Sequence, residues 1–144
     1  MIKDKALEFS DSQAVTATAV STGIVDLGAT PATRNLGAVD DLYLTIVCTE
    51  TAAAAGAATV TFSLESDSTA DLATSATVHT STGAIGKAAL TAGAKVAQIK
   101  IPNGDYERYL GVRYTVDTGP LTAGKFDAFL TSSQDSWKAY PGVS

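Results

Sequence analysis

Most hydrolytic, redox and metal chemistry is built from histidine, cysteine and paired carboxylates. This sequence holds one histidine, His79, and one cysteine, Cys48. A Ser-His-Asp triad would have to use His79 as its base, yet no G-x-S-x-G nucleophile elbow accompanies it. The reading for His79 is therefore an ordinary surface or lining residue in a weak strand. Cys48 alternates with Leu42, Leu44 and Ile46, which is the pattern of a buried core thiol rather than a nucleophile. A lone cysteine makes no intrachain disulfide, and one histidine plus one cysteine cannot complete a zinc site. Oxygen ligands for calcium could come from Asp40 and Asp41, or from Asp67 and Asp71. Neither pair has the D-x-D-x-D-G spacing of an EF-hand, so solvated loop carboxylates are the plainer reading. Asp105 and Glu107 flank Tyr106 and superficially imitate a glycosidase pair, but lie two residues apart at the end of a turn. Gly83-Ala84-Ile85-Gly86-Lys87 resembles a phosphate loop, with Ser81 where the first glycine is needed and Ala88 where Ser or Thr must follow the lysine. The expectation is no catalytic residue, no metal and no cofactor: a chain that is not an enzyme.

Composition narrows the partners. The net charge is −5, the ten basic residues are scattered singly, and charged residues make up 17% of the chain, below the ~25% usual for soluble proteins. A nucleic-acid binder clusters Lys and Arg on one face, so nucleic acid is not an expected partner. No apolar run approaches the ~18 residues of a membrane span, and Met1-Ile2-Lys3-Asp4-Lys5 leads into no apolar signal core. Cytoplasmic synthesis with no membrane contact is expected. A weakly charged surface rich in Ala and Thr suits a chain whose faces end up covered by other protein.

The elements that would position any site are strands. The 144 residues fit one domain, with an N-terminal arm over 1–12 and a tail over 133–144. Gln13–Val20 alternates as a strand, and Ile24–Leu27 is a short one. Asp41–Glu50 is apolar on both faces, which suggests a central position. Thr51–Ala58 reads as a loop. Thr59–Ser66 places Val60, Phe62 and Leu64 inward, with Thr59, Thr61, Ser63 and Glu65 outward. Ala76–Ser81 and Ala84–Leu90 are weaker strands split by Gly83. Lys95–Ile101 follows, then a turn at Pro102-Asn103-Gly104-Asp105. Arg108–Asp117 and Lys125–Ser132 complete the set. About eight antiparallel strands with frequent turn signals and no amphipathic helix predict an all-β, jelly-roll-like β-sandwich. Phe62, Ile46, Val112 and Phe126 are its expected core.

Two blocks of sequence resemble a known family. Leu7-Glu8-Phe9-Ser10-Asp11-Ser12-Gln13-Ala14-Val15-Thr16-Ala17-Thr18-Ala19-Val20-Ser21-Thr22, continuing through Ile24-Val25-Asp26-Leu27-Gly28, is similar to the start of the podovirus (tailed-bacteriophage) capsid cement proteins. Glu107-Arg108-Tyr109-Leu110-Gly111-Val112-Arg113-Tyr114 and Thr118-Gly119-Pro120-Leu121-Thr122-Ala123-Gly124 also look like that family. The resemblance implies a virion protein that decorates the outside of the capsid, bridges neighbouring capsomers through the major capsid protein, and associates as a homo-oligomer. The acidic balance suits an outer face, because the inner face meets packed DNA phosphates. In the tail, Trp137 and Tyr140 are large apolar groups in a polar stretch and are candidate partner contacts, on their own domain or on another subunit. A jelly-roll carbohydrate- or receptor-binding module is the alternative, and a small hydrolase of unrecognised type is the third reading.

Overall fold

The computed structural model of the chain describes residues 7–28, 35–36, 42–102 and 104–131. The strands in these segments are β1 (Glu8–Ala14), β2 (Ala19–Val20), β3 (Val25–Asp26), β4 (Asn35–Leu36), β5 (Tyr43–Ala53), β6 (Thr59–Asp67), β7 (Thr77–Gly86), β8 (Lys95–Lys100), β9 (Gly104–Asp105), β10 (Tyr109–Asp117) and β11 (Ala123–Thr131). Among the described residues there is no α-helix, and no helix is long and apolar enough to cross a membrane.

One sheet runs in the order β1-β11-β5-β8, and the other β2-β10-β6-β7 with β3 also on β10. β4 and β9 pair separately. Every pairing is antiparallel. With β2 and β3 taken as one interrupted strand, the first strand pairs the last and successive strands cross between sheets, apart from the β6–β7 hairpin. That is the winding of a jelly roll, as the alternating pattern predicts.

The core lies between the sheets and follows the period of two. Phe62, Ile46, Val112 and Phe126, the four expected core residues, are all 0% exposed. Phe62 stands edge-on to Tyr114 at 5.6 Å and to Phe126 at 5.1 Å. The Tyr114 hydroxyl donates to Ser10 Oγ at 2.6 Å, so its polar end is satisfied inside the core.

Several boundaries differ from the sequence reading. The arm expected over 1–12 gives way to β1 at Glu8. The strand expected over Gln13–Val20 stops at Ala14 and resumes at Ala19. Between them the chain crosses from the first sheet to the second, with the Val15 N–H donating to Gly124 O at 3.0 Å and Thr16 O accepting from the Leu121 N–H at 2.9 Å. The loop expected over Thr51–Ala58 starts later, because β5 runs on to Ala53. Gly83 does not split a strand. At φ 75° it sits in a bulge beside Thr82, whose Oγ1 accepts the Phe62 N–H at 3.1 Å, and β7 continues to Gly86. Gly104–Asp105, expected in a turn, forms β9 against β4. Asn103, Asp40, Asp41, Trp137 and Tyr140 lie outside the described residues.

The largest departure is on β6. Ser63 and Glu65, expected outward and solvated, are 6% and 4% exposed. The connection after β6 folds back over this outer face: Arg113 from β10 contacts Glu65 Oε1 through Nε at 2.9 Å and donates from its second guanidinium nitrogen to Leu72 O at 2.6 Å. A Cβ on Gly111 would come within 2.8 Å of Leu72 Cδ1 and 2.7 Å of Ile24 Cδ1, so a side chain at 111 would displace this cover.

Candidate functional site

Asp67 terminates β6 and organises the covering connection. Its Oδ1 accepts the Ser68 and Thr69 N–H groups at 2.6 and 3.4 Å, and its Oδ2 accepts those of Thr74 and Ser75 at 3.0 and 3.1 Å. Burial pushes this carboxyl up, but the four N–H donors outweigh it and hold the group below the usual carboxylate range. Asp71 accepts from Thr69 Oγ1 and the Ala73 N–H. The Asp67/Asp71 pair entertained for calcium is thus turned onto backbone and hydroxyl donors of its own loop. Among the described residues no group of three His, Cys, Asp or Glu side chains is placed to hold a metal ion.

His79 falls in a cluster that sequence spacing did not reveal. β6 pairs Leu64 with Thr80 and Glu65 with Val78, so His79 is the extra residue of a bulge. A bulge re-aims a side chain. Here the ring stacks on Tyr106 with centroids 4.0 Å apart and places Nε2 2.6 Å from Ser66 Oγ. Ser66 Oγ also accepts the Glu107 N–H at 3.0 Å, and Thr77 Oγ1 donates to Glu107 Oε1 at 2.9 Å. The Tyr106 hydroxyl donates to Pro102 O at 2.5 Å. Burial lowers the His79 pKa, opposed in part by the Glu107 charge, and burial pushes the Tyr106 hydroxyl up to about 12.

A serine and histidine at this distance have the geometry of a nucleophile and its base. Ser66, however, is 0% exposed, and in this conformation a substrate atom cannot reach its oxygen. What the cluster does is tie the segment before β10 to β6 and β7. Ser66 Oγ accepts the Glu107 N–H and is hydrogen-bonded to His79 Nε2, with the direction of that bond set by the imidazole tautomer. Burial of the ring disfavours the charged imidazolium. The folded-state pKa lies below the ordinary 6.5, so the native state binds this proton less well than the unfolded chain. The contribution of His79 is therefore complete above about pH 6.5 and lost as pH falls through the lowered value. Urea midpoints taken between about pH 8 and about pH 5 should drop, and His79→Gln should flatten that part of the profile.

The other residues singled out for chemistry are placed elsewhere. Cys48 is 0% exposed, its thiol donates to Glu50 O at 3.0 Å, and burial pushes its pKa up, away from the reactive thiolate. Glu107 is committed to Thr77, and the side chain of Asp105 lies outside the described residues. Gly83–Gly86 is a bulge and strand end, and Lys87 opens only a single 3-10 turn, Lys87–Ala89, not the α-helix a phosphate loop needs. A groove of about 380 Å³ between β1 and the 22–25 segment is lined by Glu8, Phe9, Asp11, Thr22, Gly23, Ile24 and Val25. It offers carboxylates but neither a base of histidine type nor an activated nucleophile.

The surface is more distinctive at the sheet edges. β8 carries Lys95 and Lys100. β1 carries Glu8 and Asp11 and pairs irregularly with β11. The edge opposite β7 is broken into the two-residue strands β2 and β3. All three are devices that discourage pairing with another chain. β7 is ten residues long and has no Asp, Glu, Lys or Arg. Its Val78, 55% exposed, is the one large exposed hydrophobic among the described residues. The bulges at His79 and Thr82–Gly83 are its sole irregularities.

The sequence from residue 9 to residue 130 matches the model of the Bbp16 family, that is, from the second residue of β1 to the last but one of β11. The chain belongs to the Bbp16 family. The Bbp16 match takes in both sheets, the Asp67 loop, the His79 cluster and the β7 edge, and it leaves outside both residues 1–8 and the segment with Trp137 and Tyr140. No curated protein matches the chain.

Proposed function

We propose that this protein is a structural component of a phage head that binds the outside of the assembled capsid and cements neighbouring capsomers. It would act through the major capsid protein and through copies of itself, without nucleic acid, membrane or cofactor. The observation that carries the reading is the surface: an uncharged ten-residue edge strand, β7, with exposed Val78, on a sandwich whose reactive side chains are buried or tied into the fold. The two sequence blocks that resemble capsid cement proteins fall on β1–β3 and on β10–β11, so both lie inside the jelly roll. The alternative, a glycan- or receptor-binding module, needs aromatic faces open to a ligand. All four phenylalanines, Tyr106 and Tyr114 are buried, which counts against it.

Cementing works by linkage. A ligand that binds the intact shell but not free capsomers stabilises the shell by RT ln(1 + [L]/Kd), about 2.7 kcal/mol per site at a hundredfold excess over Kd. Summed over a lattice, no single contact has to be strong. Purified protein added to stripped capsids is expected to pellet with them and to raise the temperature at which they release DNA, with emptied and full heads binding alike. Failure to pellet, or pelleting with no gain in resistance, would remove the reading.

A further inference from the structure

Of the edge strands in the two sheets, β7 alone is both long and uncharged, and its irregularities have a symmetry. Among the described strands it pairs with β6 alone. Thr61 pairs with Ala84 and Ser63 with Ser81, so Thr82 and Gly83 share a bulge opposite Phe62. Leu64 pairs with Thr80 and Glu65 with Val78, so His79 is the extra residue of a second bulge. His79 and Gly83 stand two residues from Ser81, one on either side. Bulges ordinarily guard an edge, because a regular strand cannot keep register past them. A strand that carries the same two bulges can. Antiparallel pairing of a strand with its own copy is a two-fold operation. An axis at Ser81 sets His79 of each copy against Gly83 of the other, bulge against bulge.

We propose that β7 is a self-complementary interface: two copies of this chain pair their β7 strands antiparallel about a two-fold axis at Ser81 and join their second sheets into one. Charge favours a second copy as the occupant. β7 has no Asp, Glu, Lys or Arg, so pairing it with itself brings no like charges together. The same operation on β8 or β1 would crowd Lys95 and Lys100, or Glu8 and Asp11, against their counterparts. Lys87, the residue after β7, is held by its own chain, its Nζ donating to Ala54 O at 2.7 Å. The faces also match. On this axis Val78 opposes Ala84, and Thr77 opposes Ile85. Val78 and Ala84 pair within the chain with Glu65 and Thr61, on the outer side of β6. Thr77 and Ile85 pair with Ser66 and Val60, on the side that bears Phe62 and Leu64. Val78, 55% exposed, thereby gains apolar cover from Ala84, which is exposed too. A Cβ at Gly83 or Gly86 would meet nothing within 4 Å, so the edge is open to an approaching backbone. The inference rests on the reading that the protein acts through copies of itself, and it gives that association a surface and a register.

Sedimentation equilibrium on the full chain, with no capsid present, should show a monomer–dimer equilibrium. Ser81→Lys sets two like charges on the axis and should raise the dissociation constant at least about tenfold, with an unchanged circular dichroism spectrum. Ser81→Glu should do the same, and mixing the two variants should restore association. Ser81→Cys should give a disulfide-linked dimer under mild oxidation, because directly opposed strand residues lie within disulfide reach. Gly86→Cys should not, since its counterpart would lie ten residues along the paired strands, about 33 Å away. A chain that stays monomeric up to about 0.1 mM overturns the proposal. So does a dimer that both charge variants leave intact, a mixture that fails to associate, or a Gly86→Cys chain that crosslinks as readily as Ser81→Cys. The capsid reading is judged separately: a monomer that still pellets with capsids removes only this pairing, and a dimer that does not pellet removes only capsid binding.

Discussion

Replacing Phe62 by alanine should destabilise the protein by about 3–5 kcal/mol. Phe62 is 0% exposed and touches the rings of both Tyr114 and Phe126, one from its own sheet and one from the other. Alanine would remove most of a large buried side chain, and the two rings, held in place by their strands, could not collapse into the space. The loss therefore combines the transfer free energy of the missing ring with the cost of the cavity and of two edge-on aromatic contacts. Chemical denaturation with the slope held constant measures it. A change under about 1 kcal/mol would mean that the site relaxes freely and that the sandwich is not packed around this ring.

Arg113→Ala is expected to be nearly as damaging, at about 2–4 kcal/mol, for a different reason. Arg113 pairs with Glu65, whose side chain is 5% exposed, while its own is 27% exposed. Removing the cation strands a buried carboxylate whose other contact is Ser63 Oγ at 3.3 Å. It also releases Leu72 O and loosens the connection that Asp67 anchors. Partial solvent access to Arg113 places the cost toward the low end of what breaking a buried pair normally takes. The diagnostic comparison is the double variant Glu65→Gln with Arg113→Met, which removes both charges and should cost less than Arg113→Ala alone. A double variant at least as unstable as the single would show that the arginine acts through packing rather than charge.

Much of this fold was legible because a strand with one covered face announces itself by its period. Val60, Phe62 and Leu64 on β6, and Leu110, Val112 and Tyr114 on β10, face inward as the alternation required. What failed were positions where something distant decides. Ser63 and Glu65 read as solvated because alternation cannot see a loop folding onto the polar face. Gly83 read as a break because a bulge and a strand end look the same without the partner strand. The His79 cluster was the least legible. His79, Glu107 and Tyr106 each stand out in the sequence, but Ser66, whose hydroxyl joins His79 to Glu107, carries no signal of its own. Only the extra residue in β7 aims the imidazole at it.

In the first sheet, β11 lies between β1 and β5, so among the described strands the last to be made is the one that joins the first to the middle. While the chain is being synthesised, β1 and β5 both wait with open backbone edges, and until residues 123–131 leave the ribosome the sheet cannot close. The β6–β7 hairpin alone can form early from local contacts. A fold dominated by such distant pairings pays its loop-closure entropy before it gains its contacts, which places folding in the millisecond-to-second range rather than the microseconds of a helical bundle. A nascent or truncated chain without β11 would present two unsatisfied, weakly charged edges, and so would be far more prone to aggregate than the finished molecule.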